Sequence, residues 1–535
     1  MANYTAITIG PVYDTMKLTS KPAGLWAASY LFSDLSREIC EAVGAGGAGA
    51  TIITPVTDEI AGDDELSRND GVGLFPDHII FELGSTRLTA GSEKLGAIFK
   101  IALKNVADRY EIDKNWLLQY LQIHAVDIPD SKKPISDSGV PLAASELEYT
   151  FPVNETRNYL LAFFENKQKD SNESISNRVK KIARFNIGLN KKRWTLLDES
   201  NNIRDMESIA GNGIMINDRI SVDKWREKPD SNKPQLKKFS YYAIIKADGD
   251  NFGKLIKECE KEDKLHDFSL ACWSYSKKAA KIVSDYGGVV IYAGGDDLLC
   301  ITPLDNEGGQ TVFDLVLSVR KKFDEVFQQF KPLGVMPTLS FGVAIRFYKY
   351  PLYESFNEAH ELLSKKAKDN KFGKDAIAVS LQKHSGQSVE LVFQRYNSNP
   401  VYDILLKLLS LYDPLDDNAE DMLHSVETRL HGFKDLFALA LHTRGDSCFD
   451  PVKEAIGNMF DSEIHRQLYA KQLLDYTYVL LTAINNANIR VVCDISAEDE
   501  YYEGKRCLAI TDGVLRMVRF FAEKGVEKDD ERTNV

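Results

Sequence analysis

The sequence predicts an α+β fold that gives way to an all-α C-terminal region. Three observations predict it. Strand-length apolar runs such as "YTAITIGPV" and "FSYYAIIKADGD" alternate with amphipathic helical stretches across residues 1–383. Within that span, residues 238–383 read βαββαβ with an extra αβ, the split-βαβ or ferredoxin-like plan. From about Ser385 onward the pattern is mostly helical, as in "YDILLKLLSLYD", "HGFKDLFALALH", "IHRQLYAKQLLDYTYVLLTAI" and "GVLRMVRFFAE".

The first unit, residues 1–115, opens with the strand "YTAITIGPV" and the amphipathic helix "GLWAASYLFSDLSREICEAV". The strands "GATIITPV" and "FPDHIIFEL" and the helix "LGAIFKIALKNVADRYEI" come next. Residues 116–237 loosen into a mainly helical linker with polar connectors such as "PDSKKPISDSG" and "EKPDSNKPQ". This linker holds "RVKKIARFNIGLNKKRW", with Arg178, Lys180, Lys181, Arg184, Lys191, Lys192 and Arg193 and no acid. It reads either as a solvated helix face or as a contact for RNA or an acidic neighbour.

The pattern sharpens again in 238–383. "FSYYAIIKADGD" is a strand ending in acids, and "VVIYAGGDDLLCI" is a hairpin. "TVFDLVLSVRKKFDEVFQQF" aligns Val312, Phe313, Val316, Val319, Phe323, Val326, Phe327 and Phe330 in one apolar stripe. "MPTLSFGVAIRF", "LYESFNEAHELLSKKAKDN" and "DAIAVSL" complete it as strand, helix and strand. Residues 384–535 form the expected all-helical domain.

The net charge of −13 argues against a protein that coats naked nucleic acid by itself. The seven cysteines, at 40, 259, 272, 300, 448, 493 and 507, include no CxxC pair. Their number is odd, so neither a zinc knuckle nor a disulfide framework is expected. The N-terminus lacks the basic start and apolar core of a signal peptide, and no run is long enough to cross a bilayer. A cytoplasmic location is expected.

The chemistry concentrates at the ends of two strands. In the ferredoxin-like plan the first strand and the hairpin share one antiparallel sheet, so Asp248 neighbours Asp296 and Asp297. Three clustered carboxylates require a cation, and hard oxygen donors suit Mg²⁺ or Mn²⁺, which in turn hold phosphates. Gly294 and Gly295 permit positive φ and leave room for a nucleotide. Two such metals activate an attacking hydroxyl and stabilise a leaving pyrophosphate.

The turn "ADGDNFG" adds Gly249, Asp250, Asn251 and Phe252 to the candidate nucleotide-binding residues. Phe252 anchors the next helix, while Asp250 is either a ligand or a helix cap, with a supporting role favoured. Lys368, Lys371 and Lys374 are placed to meet triphosphate oxygens, or else are ordinary lysines at a helix end. An acidic surface hairpin is the plain alternative for the aspartates. His266-Asp267 has no further ligands nearby in sequence and is read as accidental.

These residues resemble nucleotide cyclases and GGDEF-type diguanylate cyclases. More closely, the chain resembles the large polymerase-like subunit of type III CRISPR effector complexes. "KADGDNFGKLI", "YAGGDDLL", "LSFGVAI" and "ELLSKKAK…GKDAIAV" fall in that family's order. "IGPVYDTMKLTSKPAGLWAASYLFSDL" looks like the opening palm of its III-B (Cmr-type) branch.

The resemblance implies two nucleotide-cyclase/polymerase palm domains facing across a cleft, with only the second carrying the acids. It implies partner subunits, guide RNA and target RNA, with the last switching on nucleotidyl transfer from ATP. The product would be cyclic oligoadenylate, or an adenylate joined to S-adenosylmethionine as co-substrate. It also implies a C-terminal domain docked on small subunits. Neither an HD nuclease domain nor a zinc site is expected here. The competing readings are a non-catalytic scaffold and a free-standing diguanylate cyclase.

Overall fold

In the computed structural model the described residues are 2–17, 19–44, 48–56, 72–110, 112–148, 204–211, 237–306, 308–369, 374–411, 418–444, 449–458, 467–486 and 501–523. The basic stretch 178–193 lies outside them, as does Lys371. The fold is α+β, with two sheets among the described residues.

The first sheet comprises β1 (Ala2–Gly10), β2 (Thr51–Thr54), β3 (His78–Glu82) and β4 (Gln122–Ser131), in the order β2-β3-β1-β4. Every pairing in it is antiparallel. The second comprises β5 (Tyr241–Asp250), β6 (Val289–Gly294), β7 (Asp297–Pro303), β8 (Thr338–Phe347), β9 (Ala376–Gln382) and β10 (Ser388–Gln394). Its order is β10-β9-β8-β5-β7-β6. Leaving out β9 and β10, the two sheets share one topology: the first strand lies between the last strand and the hairpin. The chain is therefore built from two copies of one plan.

Two expected boundaries are corrected. The division at residue 115 cuts the first sheet, because Gln122–Ser131 pairs along the whole of β1. The sequence "QIHAVDIPDS" hides this strand, since neither of its faces is cleanly apolar. The division at 384 likewise cuts off β10, which pairs with β9 from Ser388↔Gln382 to Gln394↔Ala376.

Helices α1 (Val12–Lys17), α2 (Pro22–Val43), α3 (Glu93–Tyr110), α4 (Lys114–Tyr120) and α5 (Pro134–Glu146) belong to the first lobe. The second lobe contributes α6 (Phe252–Lys261), α7 (Leu265–Tyr286), α8 (Val312–Phe327) and α9 (Leu352–Glu361). Along α8 the expected stripe is buried, except that Val326 is only partly covered. Thr311 and Asp314 close a capping box that fixes where this helix starts. Phe252, Phe268, Phe323 and Phe327 meet edge-on or tilted beneath the sheet, so Phe252 anchors α6 as expected.

The lobes are stitched together. Helix α2 is buried on nearly every side because it serves both sheets. The strap Val72–Phe75 crosses to the second lobe, where Gly73 bridges Tyr292 and accepts a hydrogen bond from the Ala293 amide at 3.0 Å. Glu260 of α6 accepts from the Ile135 and Ser136 amides at the start of α5, at 3.0 and 2.9 Å. A carboxylate there satisfies orphan helix donors and opposes the helix dipole. The described residues after β10 are mainly helical, and Tyr502–Ala522 packs on that strand.

Candidate active site between the two lobes

The antiparallel β5–β7 register brings the acids together. Ala247 pairs with Leu298, so the next residues outward, Asp248 and Asp297, face each other where the strands end. Gly294 pairs with Asp297 across the hairpin, and Gly295 takes φ +66°, the left-handed conformation that its lack of Cβ allows. A Cβ on Gly249 would lie 2.6 Å from Asp296 Oδ2, so the bare backbone there is what admits the Asp296 carboxylate.

The site is electrostatically loaded. Burial and then the neighbouring Asp248 push the Asp296 pKa up to about 7, although Lys368 and the amides of Gly249 and Asp296 pull the other way. Burial, Asp296 and Asp248 raise Asp297 well above the carboxylate range. Lys368 answers this charge. Its Nζ lies 2.6 Å from Asp248 Oδ2, donates to the Gly249 carbonyl at 2.8 Å, and stands 3.8 Å from Asp250 Oδ1.

Local structure explains how Lys368 gets there. Gly342 on β8 lies so close to α9 and the turn after it that a Cβ would run into the Ala359 carbonyl and sit 2.6 Å from the Leu363 amide nitrogen. That close packing runs into a π-helical turn, Leu362–Ala367, which delivers Lys368 over the strand end.

Asp250 is fully buried, and its role is support. Its Oδ2 accepts from Thr338 Oγ1 (2.8 Å), Ser340 Oγ (2.7 Å) and the Asp375 amide (2.9 Å). It does not cap α6, whose N-cap is Asn251 at φ +64° with no side-chain cap bond. Lys374 is exposed beside Asp375, at the edge of the site. His266 and Asp267 are in the first turn of α7.

Among the described residues, no group of three or more His, Cys, Asp or Glu side chains is preassembled as a metal cage. The donor chemistry nonetheless fits a hard divalent cation. Asp248, Asp296 and Asp297 are all-oxygen donors, burial and then mutual repulsion raise two of their pKa values, and a lysine ammonium already serves as counter-cation.

Beside the acids a cavity of about 330 Å³ opens between the lobes, a volume suited to a nucleoside-sized ligand. Much of its first-lobe wall, from Ile9 to Ser33, comes from the stretch "IGPVYDTMKLTSKPAGLWAASYLFSDL", in which the sequence singles out no individual site residue. In β1 and β3, Thr8 pairs with His78, so Ile9 and Asp77 occupy the places that Asp248 and Asp297 hold in the second lobe. The first lobe therefore retains one acid of the pattern. Asp77 lines the cavity together with Asp14, Glu146 and Asp297. Glu146 accepts from Thr8 Oγ1 at 2.9 Å and meets His78 Nε2 at 2.6 Å. The available signal was positional: Asp77 precedes the strand "HIIFE" as Asp297 begins "DLLCITP".

Comparison with known proteins agrees with this arrangement. Residues 241–378 match the family described as Cas10/Cmr2, second palm domain, and residues 4–111 match CRISPR-associated protein Cmr2, N-terminal. A curated relative, CRISPR system Cmr subunit Cmr2 of Pyrococcus furiosus, is 33% identical over 189 residues. That match covers 30% of this chain and 21% of the relative's length. Among solved structures, the apo type III-B Cmr-beta complex contains a chain similar in fold, with TM-score 0.54 and 12% identity. The match covers 98% of this chain and 82% of that one. A chain of Cmr-beta bound to cognate target RNA gives TM-score 0.52 and 11% identity, covering 97% and 83%. No helix among the described residues is long and apolar enough to cross a membrane.

Proposed function

This chain belongs to the Cas10/Cmr2 family, and on that premise we propose that it is the nucleotidyltransferase subunit of a type III-B CRISPR effector complex. In this reading it works with partner effector subunits, guide RNA and target RNA, and the target-bound complex joins AMP from ATP to an acceptor. The observation that carries the proposal is the convergence of Asp248, Asp296 and Asp297 at paired strand ends beside a cleft shared by both lobes.

The acids Asp248, Asp296 and Asp297 would hold Mg²⁺ or Mn²⁺, which supplies charge neutralisation at the α-phosphate and the leaving pyrophosphate. Gly295 leaves the donor's phosphates open space at the hairpin turn, while Gly249 and Gly294 make room for the Asp296 and Tyr292 side chains, and Lys368 moves from Asp248 onto phosphate oxygens. Lys374 stands at the rim for the outer phosphates. An acceptor hydroxyl oxygen bonds to the α-phosphorus while the bond to the β-phosphate oxygen breaks. Pyrophosphate leaves, and the hydroxyl proton passes to solvent. Asp250 keeps the β5 end in place through Thr338 and Ser340.

The cavity favours S-adenosylmethionine over a second ATP as acceptor. Apart from Asp297, assigned to the metal, its wall presents Asp14, Asp77 and Glu146 against one lysine, Lys246. A triphosphate would meet like charge there, whereas a sulfonium and an ammonium would meet opposite charge. The test is mass spectrometry of products from the assembled complex, given Mg²⁺ or Mn²⁺, ATP and S-adenosylmethionine with and without target RNA. An Asp296→Ala/Asp297→Ala complex runs alongside. A target-dependent conjugate of S-adenosylmethionine and AMP, lost in the variant, supports the whole reading. Cyclic oligoadenylate would retain the enzyme and overturn the acceptor, and no consumption of ATP would leave a scaffold.

A further inference from the structure

Lys246 is the unexplained group of the cleft. It lies on β5 two residues before Asp248, so both side chains leave the same face of the strand. It is partly buried and lines the cavity that Asp297 also lines. Among the described residues it forms no ion pair with a carboxylate. Its Nζ instead meets His360 Nδ1 of α9 at 3.1 Å and stands 5.3 Å over the ring of Tyr13 from α1. Tyr13 packs on His360 with centroids 4.8 Å apart and on Phe356 at 5.4 Å. Both lobes thus build the sleeve that aims this ammonium. Gly342, opposite Lys246 in the β5–β8 register, is what lets α9 come close enough to supply His360.

The fields of Asp297 and Asp248 favour the charge of Lys246, but neither carboxylate touches it, so an arriving anion gains a direct partner for a half-buried ammonium. The remaining charged side chains on the cavity wall are acids, so a polyanion is disfavoured and a zwitterion is suited. We infer that Lys246 is the anchor for the carboxylate of a zwitterionic aminoacyl nucleoside bound in the inter-lobe cavity. The cationic end of that ligand faces Asp77 and Glu146. This rests on the acceptor reading above and assigns it a specificity-determining residue: Lys246 tells an amino-acid-bearing nucleoside from a plain one.

The experiment is calorimetric binding to the full chain in the presence of Mn²⁺ and a non-hydrolysable ATP analogue. The probes are S-adenosylmethionine and its decarboxylated analogue. Wild type is expected to bind S-adenosylmethionine more tightly than the analogue by about tenfold or more, the scale of one charge-assisted hydrogen bond. Lys246→Met abolishes that preference, Lys246→Arg restores part of it, and affinity for the ATP analogue is unchanged in both. Equal binding of the two probes by wild type overturns the inference without needing any variant. Loss of ATP-analogue binding in Lys246→Met with S-adenosylmethionine binding intact also overturns it, by assigning Lys246 to the donor. If wild type binds the ATP analogue but neither probe, the acceptor reading itself fails and the role of Lys246 falls with it.

Discussion

Lys368 holds Asp248 at 2.6 Å while donating to the Gly249 carbonyl, so one ammonium occupies ground that a divalent cation would claim. Lys368→Met is therefore expected to have opposite effects on two ligands. Mn²⁺ alone should bind several-fold more tightly, because its competitor is gone, and ATP should bind several-fold more weakly. Paramagnetic titration with Mn²⁺ and calorimetry with an ATP analogue read the two separately. A parallel change in both affinities would contradict this role.

Asp250 gathers three donors inside the protein, two hydroxyls and the Asp375 amide. Asp250→Ala removes the acceptor of both hydroxyls and leaves the Asp375 amide only its 3.1 Å bond to Ser340 Oγ, so it should cost about 3 kcal/mol of stability, whereas Ser340→Ala should cost less. Denaturant unfolding measures both. A destabilisation no larger than that of Ser340→Ala would show that Asp250 is not the hub.

The His78–Glu146 pair makes a pH-dependent contribution. Burial alone would lower the His78 pKa, but the hydrogen bond to Glu146 and the charges of Asp77 and Glu146 outweigh it, leaving the value above 6.5. Its contribution is complete below 6.5 and is lost as pH rises through the raised folded value. Glu146 is lowered chiefly by the same hydrogen bond, so its share is present above 4.5 and lost as pH falls through the lower folded value. The stability difference between wild type and His78→Gln should be flat between 4.5 and 6.5 and shrink on either side. Thermal melts across pH check this.

Gly249 near the end of β5 and Gly253 in α6 should respond in opposite ways. Gly249→Ala forces a Cβ into the Phe252 ring and to 2.6 Å from Asp296 Oδ2, so it should destabilise the protein and weaken metal binding. Gly253→Ala meets nothing within 4 Å on the helix and should stabilise the protein by about 0.5 kcal/mol. Melting curves and Mn²⁺ titration distinguish the two.

The acids were legible because strand alternation and a diglycine turn leave local marks. "ADGD" and "GGDD" each announce a strand end, and the ferredoxin-like order does the rest. The cleft's opposite wall was not legible in this way. Asp14, Asp77 and Glu146 come from three separate elements of the first lobe, and only tertiary packing brings them to one cavity. Lys246 sits inside a strand motif whose acids dominate its reading. β4 was missed because its apolar residues are spread over both faces, and β10 because the helical patterns C-terminal to it are stronger than its own alternation.

The contact between Gly73 and Tyr292 has one further consequence. β6 ends the acid-bearing sheet, and it is an apolar strand whose outer amides and carbonyls would otherwise stand unpaired. Such an edge is a template on which strands of other molecules add. The strap from the first lobe covers part of it, with Leu74 and Phe75 buried behind. Cut free, the second lobe would expose that edge and self-associate through it. The segment that walls the cleft thus also guards colloidal integrity, which gives the first lobe a reason to persist with only one acid of the pattern left.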